Sequence, residues 1–313
     1  MRLFIASGKL PNMASCTSSS GRSHTLRALG GIVFLLTTAA GAQSYDFRLE
    51  KLHNPNPRPG AVDASTSANS DFRAFARTFG AAMTSANLAP PETLGHTGFA
   101  VNAEVSVVDF RGATLPTAGA FNGPLLMPSL HIRKGLPWSF ELGARAAWVQ
   151  NSRMGVATFE VKWALNEGYT FLPDIGVRAH ISKLLNAPNL DLVAGGVDLS
   201  IGKRFAIAGS WTLTPYLGWN LVFVGASTTN VDFDPQATLA NSDGAKDPFA
   251  NLYVFNPLAA KDNAHNRFYG GFRLVAGVFQ LGGELSYSLL GKVSEQQADQ
   301  GVVAYNGTLG LQF

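Results

Sequence analysis

The chain has 313 residues, of which 46% are hydrophobic and only 14% charged, against about 25% charged in an ordinary soluble domain. Gly and Phe are abundant, at 33 and 21 residues, and Cys occurs once, at Cys16. These figures exclude a disordered chain, a disulfide scaffold and a cysteine-held zinc site, while the net charge of +3 and the pI near 9.0 invite a nucleic-acid reading that depends on where the charges sit.

They sit at the start. Residues 1–42 hold Arg2, Lys9, Arg22 and Arg27 and no acidic residue, then the apolar run Ile32-Val33-Phe34-Leu35-Leu36, then Ala40-Gly41-Ala42. A positive start, a short apolar stretch and small residues at its exit make a secretory signal peptide, cleaved after Ala42. The apolar stretch is short for an uncleaved anchor helix, which needs about 20 residues. Translation starts at Met1 or Met13. Cleavage removes four of the 24 basic residues and leaves 20 against 21 acidic ones. Cys16 leaves too, and its place upstream of the apolar run excludes a lipoprotein anchor. Without its basic surplus the exported chain has no electrostatic case for nucleic acid.

Residues 43–95 read as a periplasmic linker with one helix. His53-Asn54-Pro55-Asn56-Pro57-Arg58-Pro59-Gly60 continues neither a helix nor a strand ladder, and the stretch to Ser70 is small and polar. Phe72, Phe75, Ala76, Phe79, Ala82 and Met83 then follow helical spacing. This predicts a short amphipathic helix over 71–84, capped by Ser70 or Asp71 and closed off before Pro90-Pro91. Its Phe72, Phe75 and Phe79 stripe either packs on other protein or plugs a lumen.

From residue 96 the period changes to two, that of a strand. Ten strands are expected: 96–110, 123–133, 137–150, 154–166, 173–184, 189–202, 207–226, 264–277, 279–291 and 300–313. They exceed the usual ~5–6 residues. One face is apolar, and the other carries Gly, Ser, Thr and isolated charges. Trp138 and Trp148, read on one face of one strand, are separated by about 33 Å, or about 25 Å along a membrane normal after tilting, which matches two aromatic girdles. A water-soluble barrel would turn its apolar face inward and leave both this spacing and the export signal unexplained.

Short connections alternate with longer ones, the asymmetry between periplasmic turns and outer loops, except for a short outer loop near Gln150-Asn151-Ser152 and a long turn between the fourth and fifth strands. Turns are expected at Lys134-Gly135-Leu136, near Gly202-Lys203-Arg204 and near Gly277-Val278. The longest loop, 227–263, holds Asp232, Asp234, Asp243, Gly244 and Asp247, whose spacing fits no calcium loop. Its Leu252-Tyr253-Val254-Phe255 run leaves twelve strands as the alternative count. The last strand sets Tyr305, Leu309, Leu311 and the terminal Phe313 on one face. In this the chain resembles Gram-negative outer-membrane β-barrels over residues 96–313, and the resemblance implies that those four residues form the signal read by the barrel-assembly machinery. The preceding helix loosely resembles the N-terminal plug of outer-membrane fatty-acid channels, without a shared motif.

The polar face gathers Glu104, Arg133, Glu141, Arg145, Glu160, Lys162, Arg178, Arg273 and Glu284. In a narrow lumen such charges pair and form either a structural network or a gated conduction path. His180 and Ser182 stand two apart, as in outer-membrane lipid hydrolases, but on the polar face, where a lipid substrate does not reach. Gly196 to Lys203 has the wrong spacing for a phosphate loop, and the six His form no ligand pair. No cofactor or metal site is expected. The expected function is passive passage or binding of a small solute, apolar if the Phe stripe meets it. The alternatives are a closed structural or surface-interaction barrel and, last, a lipid hydrolase. The expected partners are outer-membrane lipid, lipopolysaccharide and the assembly machinery.

Overall fold

A computed structural model describes residues 44–53, 64–84, 86–113, 115–207, 209–233, 252–292 and 300–313. The signal peptide and its cleavage site, and Asp234, Asp243, Gly244 and Asp247, lie outside the described residues.

Among the described residues, thirteen strands follow one α-helix, α1 (Ala64–Met83): β1 (Phe99–Asp109), β2 (Leu125–Leu136), β3 (Phe140–Trp148), β4 (Gly155–Asn166), β5 (Asp174–Leu185), β6 (Leu190–Gly202), β7 (Phe205–Ile207), β8 (Trp211–Thr228), β9 (Val231–Asp232), β10 (Leu252–Tyr253), β11 (Ala264–Ala276), β12 (Phe279–Gly291) and β13 (Gln300–Gln312). Ten of them close a ring of antiparallel pairs, from β1 through β6 to β8, β11, β12 and β13 and back to β1. Closure satisfies every strand edge, which a lipid environment demands. The seam is completed by reciprocal backbone bonds between Phe99 and Phe313, at 3.0 and 2.8 Å.

β7 pairs with the start of β8 on the side that β6 occupies further along, so it continues β6 beyond Lys203-Arg204 and adds no eleventh stave. The run at Leu252 forms β10, which pairs only with β9 in a separate two-stranded sheet. The barrel therefore has ten strands, and the twelve-strand alternative falls.

Period-two burial runs along every long strand. Val101, Ala103 and Val105 of β1 face out, while Ala100, Asn102, Glu104, Ser106 and Val108 are buried inside. The outward surface is a lipid-type wall that includes Leu130, Phe159, Trp163, Ile181, Leu217, Phe268 and Leu285. Tyr305, Leu309, Leu311 and Phe313 all stand on it.

Three local expectations need correction. First, Lys134-Gly135-Leu136 is the end of β2 rather than a turn. The turn is Pro137–Ser139, with Trp138 at φ 59° and Ser139 at φ 60°. Pro137 has no N–H to extend the ladder, and Gly135 is needed because a Cβ there would overlap the Gly95 carbonyl where the incoming chain crosses β2. Trp138 is thus 86% exposed in the turn, so the two Trp do not share a strand and the girdle distance does not apply. Trp148 ends β3, and its indole N–H donates to the Ser152 carbonyl at 2.8 Å.

Second, α1 begins at Ala64, seven residues before the expected start, and Ser70 and Asp71 lie inside it. Contacts with the rest of the fold extend it through the small polar stretch, as such contacts outweigh propensity. Ala68 is fully buried, and Asn69 donates to the Tyr253 hydroxyl and accepts from the Asn256 N–H, at 2.8 and 2.7 Å.

Third, the inward face is not polar throughout. Toward the end bearing the long loops it turns apolar, with Leu125, Met127, Val149, Val156, Leu184, Leu192, Val222, Val224, Leu290 and Val302 buried.

Candidate functional site: a lumen filled by its own chain

α1 occupies the apolar half of the lumen. Phe72 and Phe79 are fully buried and Phe75 nearly so. Phe72 stacks on Phe255 with ring centroids 4.8 Å apart, and Phe75 and Phe79 meet Phe47 edge-on at 4.8 and 4.7 Å. Such contacts add to the large area that aromatic rings remove from water. Gly80 lets the helix touch the wall, since a Cβ there would lie 2.7 Å from both methyls of Val224. Arg77 reaches the Leu290 carbonyl at 2.5 Å, and Arg73 donates to the Asn263 side chain at 2.8 Å.

Residues 86–94 continue through the polar half, and the wall charges hold them by their backbone. Both Glu284 carboxylate oxygens accept, from the N–H groups of Asn87 and Leu88, each at 2.9 Å. Arg145 donates to the carbonyls of Ala86 and Asn87 at 2.9 and 3.3 Å. Lys162 donates to those of Pro90 and Glu92 at 3.2 and 2.9 Å. Glu141 receives the Leu94 N–H at 3.0 Å, and Glu167 the Thr93 N–H at 2.7 Å. Leu88 adopts φ 55° between these clamps. Gly176 and Gly202 leave room for Pro91, whose atoms would lie 2.8 and 2.9 Å from a Cβ at those positions.

Around this segment the wall carries a relay of ion pairs joined through a histidine. It runs from Arg145 to Glu104 (2.7 Å), to His131 (2.9 Å), to Glu160 (3.1 Å), to Arg178 (2.7 Å), to Asp198 (2.8 Å) and to Arg267 (3.5 Å). A second group joins Glu141 to Arg133 at 3.3 Å and to Lys162 at 3.0 Å. Seven of the nine predicted lumen charges therefore pair with one another or through His131. The other two turn to the threaded segment: Arg273 pairs with Glu92, and Glu284 takes backbone N–H groups and the Tyr216 hydroxyl. Charges this deep hold because each is compensated.

His131, Asp198, Arg267 and Glu92 escaped the sequence reading. His131, Asp198 and Arg267 were readable from the inward alternation of β2, β6 and β11, but Glu92 was not, because it lies on the threaded segment and meets Arg273 only through the closed wall. Among the described residues, buried Arg133, Arg267 and Arg273 each keep guanidinium nitrogens without a protein partner, and both His265 ring nitrogens do as well. His180 and Ser182 face this interior but serve separate bonds, His180 with Asn220 at 2.9 Å and Ser182 with Thr158 at 2.8 Å. Gly196 to Lys203 follows β6 into a strand rather than a helix, so it forms no phosphate cradle.

No protein family model matches the sequence, and no curated protein matches it. Solved structures do. Neisserial surface protein A is 14% identical with a TM-score of 0.29, covering 69% of this chain and 94% of its own. Ail, the attachment invasion locus protein of Yersinia pestis, is 13% identical at 0.26, covering 70% and 99%. The KdgM porin is 6% identical at 0.30, covering 68% and 99%. The ten-stave closure and the apolar outer wall give this chain the fold of a transmembrane antiparallel β-barrel.

Proposed function

We propose that this chain is a barrel sealed by its own N-terminal segment, and that its work is done at the long-loop end rather than by open passage through the lumen. The observation that carries this reading is the run of carboxylate, guanidinium and ammonium groups bonded to the backbone of residues 86–94. A wall built to conduct would leave such groups to water and solute. Here each contact to the segment replaces a solvent contact, and the apolar half above is filled by packed rings.

The test is single-channel conductance of the mature chain in planar bilayers. The full chain stays silent across the voltage range. Steady conductance by the full chain would overturn the sealed reading.

A second reading, solute passage after displacement of residues 64–94, draws on the unpartnered nitrogens of Arg133, Arg267 and His265. Groups of that kind favour a polar or anionic solute over the apolar one that the Phe stripe suggests, because the stripe is spent on internal packing. Phe72→Asp with Phe79→Asp would drive the helix from its apolar seat. Conductance that appears only in that variant would establish gated passage.

A further inference from the structure

The filled lumen has a direction. Residues 44–53 lie at the long-loop end, tied to two loops there. The Tyr45 N–H donates to the Asn151 carbonyl at 3.0 Å, the Arg48 N–H to Pro116 at 2.7 Å, and Asp46 receives the N–H groups of Ala118 and Arg153 at 2.8 and 2.7 Å. Phe47 bridges to Thr117 and packs on the rings of α1. The first described turns of α1 are held at the same end, by Tyr253, Asn256 and Asn263. The chain then descends past Glu284 and Lys162 and reaches the opposite end, where Lys134 caps the carbonyls of Thr97 and Gly98 before β1 begins. The N-terminal segment is thus an eleventh crossing, threaded inside the other ten.

We infer that the barrel carries its own N-terminal segment across the outer membrane and displays residues 44–53 on the cell surface, beside the long loops. The expected signal-peptide cleavage after Ala42 takes place on the inner side of that membrane, two residues before Ser44, which ends at the loop end. The segment cannot follow once the barrel has closed. Phe72, Phe75 and Phe79 would have to slide past a polar half already occupied by buried Arg133, Arg178 and Arg267, and stripping charges or rings of their partners there is costly. The staves therefore close around a segment already in place. The displayed surface is formed by the 44–53 strap against the 110–124 loop, where a cavity of about 680 Å³ lies between Lys51, Leu52, Phe110, Leu115 and Phe121.

The test is single-cysteine labelling of the full chain in a Cys16→Ser background, on intact cells, with a membrane-impermeant poly(ethylene glycol) maleimide. Arg48→Cys lies in the strap, Lys261→Cys reports the long-loop end, and Val278→Cys reports the short turn between β11 and β12. All three native side chains are exposed. Arg48→Cys and Lys261→Cys are labelled on intact cells, whereas Val278→Cys is labelled only after the outer membrane is permeabilised. Any pattern in which Arg48→Cys does not follow Lys261→Cys overturns the inference, and so does labelling of Val278→Cys from outside. Glu50→Cys provides a second strap position, and the heat-dependent electrophoretic shift of folded barrels confirms that each variant has closed. Conductance plays no part in this readout, so failure of the sealed-barrel reading and failure of surface display are distinguishable.

Discussion

The two halves of the lumen are filled by different means. Toward the long loops, α1 and Phe47 fill it with rings and methyls, an ordinary hydrophobic core turned inside a membrane barrel. Toward the short turns, residues 86–94 are gripped by charges, and glycines make room where the backbone comes close. The apolar half tolerates small shifts as long as volume is kept. The polar half demands a partner for each buried charge, because a charge stranded in low dielectric is far more costly than a lost methylene. Packing thus seats the helix, and electrostatics fixes the path of the chain that follows it.

Substitutions separate the two contributions. The largest effect is expected in the polar half. Arg178→Met leaves both Glu160 and Asp198 short of a cation, a loss of about 3–5 kcal/mol for a broken buried pair, read as a lower urea midpoint of the detergent-folded barrel. Phe79→Ala in the apolar half opens a cavity among packed rings, and the cost is about 3–5 kcal/mol at most, less where the helix resettles. Gly80→Val drives a branched side chain into Val224 and costs about 1–3 kcal/mol through overpacking. Glu284→Gln keeps the shape but gives up the charge that receives the Asn87 and Leu88 N–H groups, at about 1–3 kcal/mol. Lys183→Ala serves as the control. Its pair with Asp191 at 3.4 Å is over half exposed on both sides, so the change stays within about 1 kcal/mol. If Arg178→Met and Lys183→Ala were alike in effect, the lumen charges would be hydrated rather than interlocked.

The barrel was legible in the sequence because its physical cause is periodic. Alternation along β1, β4, β5 and β12 reports which side chains meet lipid, and no distant partner is needed to read it. The inward charges were legible for the same reason. The pairing among them was not, since the relay crosses seven strands and passes through His131, which looked like one scattered histidine among six. The course of residues 86–94 was hidden as well. Pro90-Pro91 marks the end of a helix locally, while what places Glu92 beside Arg273 is the closed wall around it. Trp138 was misread because a turn at Pro137 breaks the alternation that otherwise runs straight through it. The early start of α1 was missed because Asn69 is held by loop residues nearly 190 positions away.

The central claim is that α1 lies inside the barrel, against β8. A Cβ at Gly80 would stand 3.3 Å from the Cβ of Val224, near the 3.5–4.5 Å span of a disulfide. Replacing both residues with Cys in a Cys16→Ser chain removes the crowding methyls of Val224 at the same time. Mild oxidation of this variant, folded in the outer membrane, yields an intramolecular cross-link seen as a mobility shift that reductant reverses. A closed, heat-shifting barrel whose two thiols remain free under the same oxidant would contradict the account.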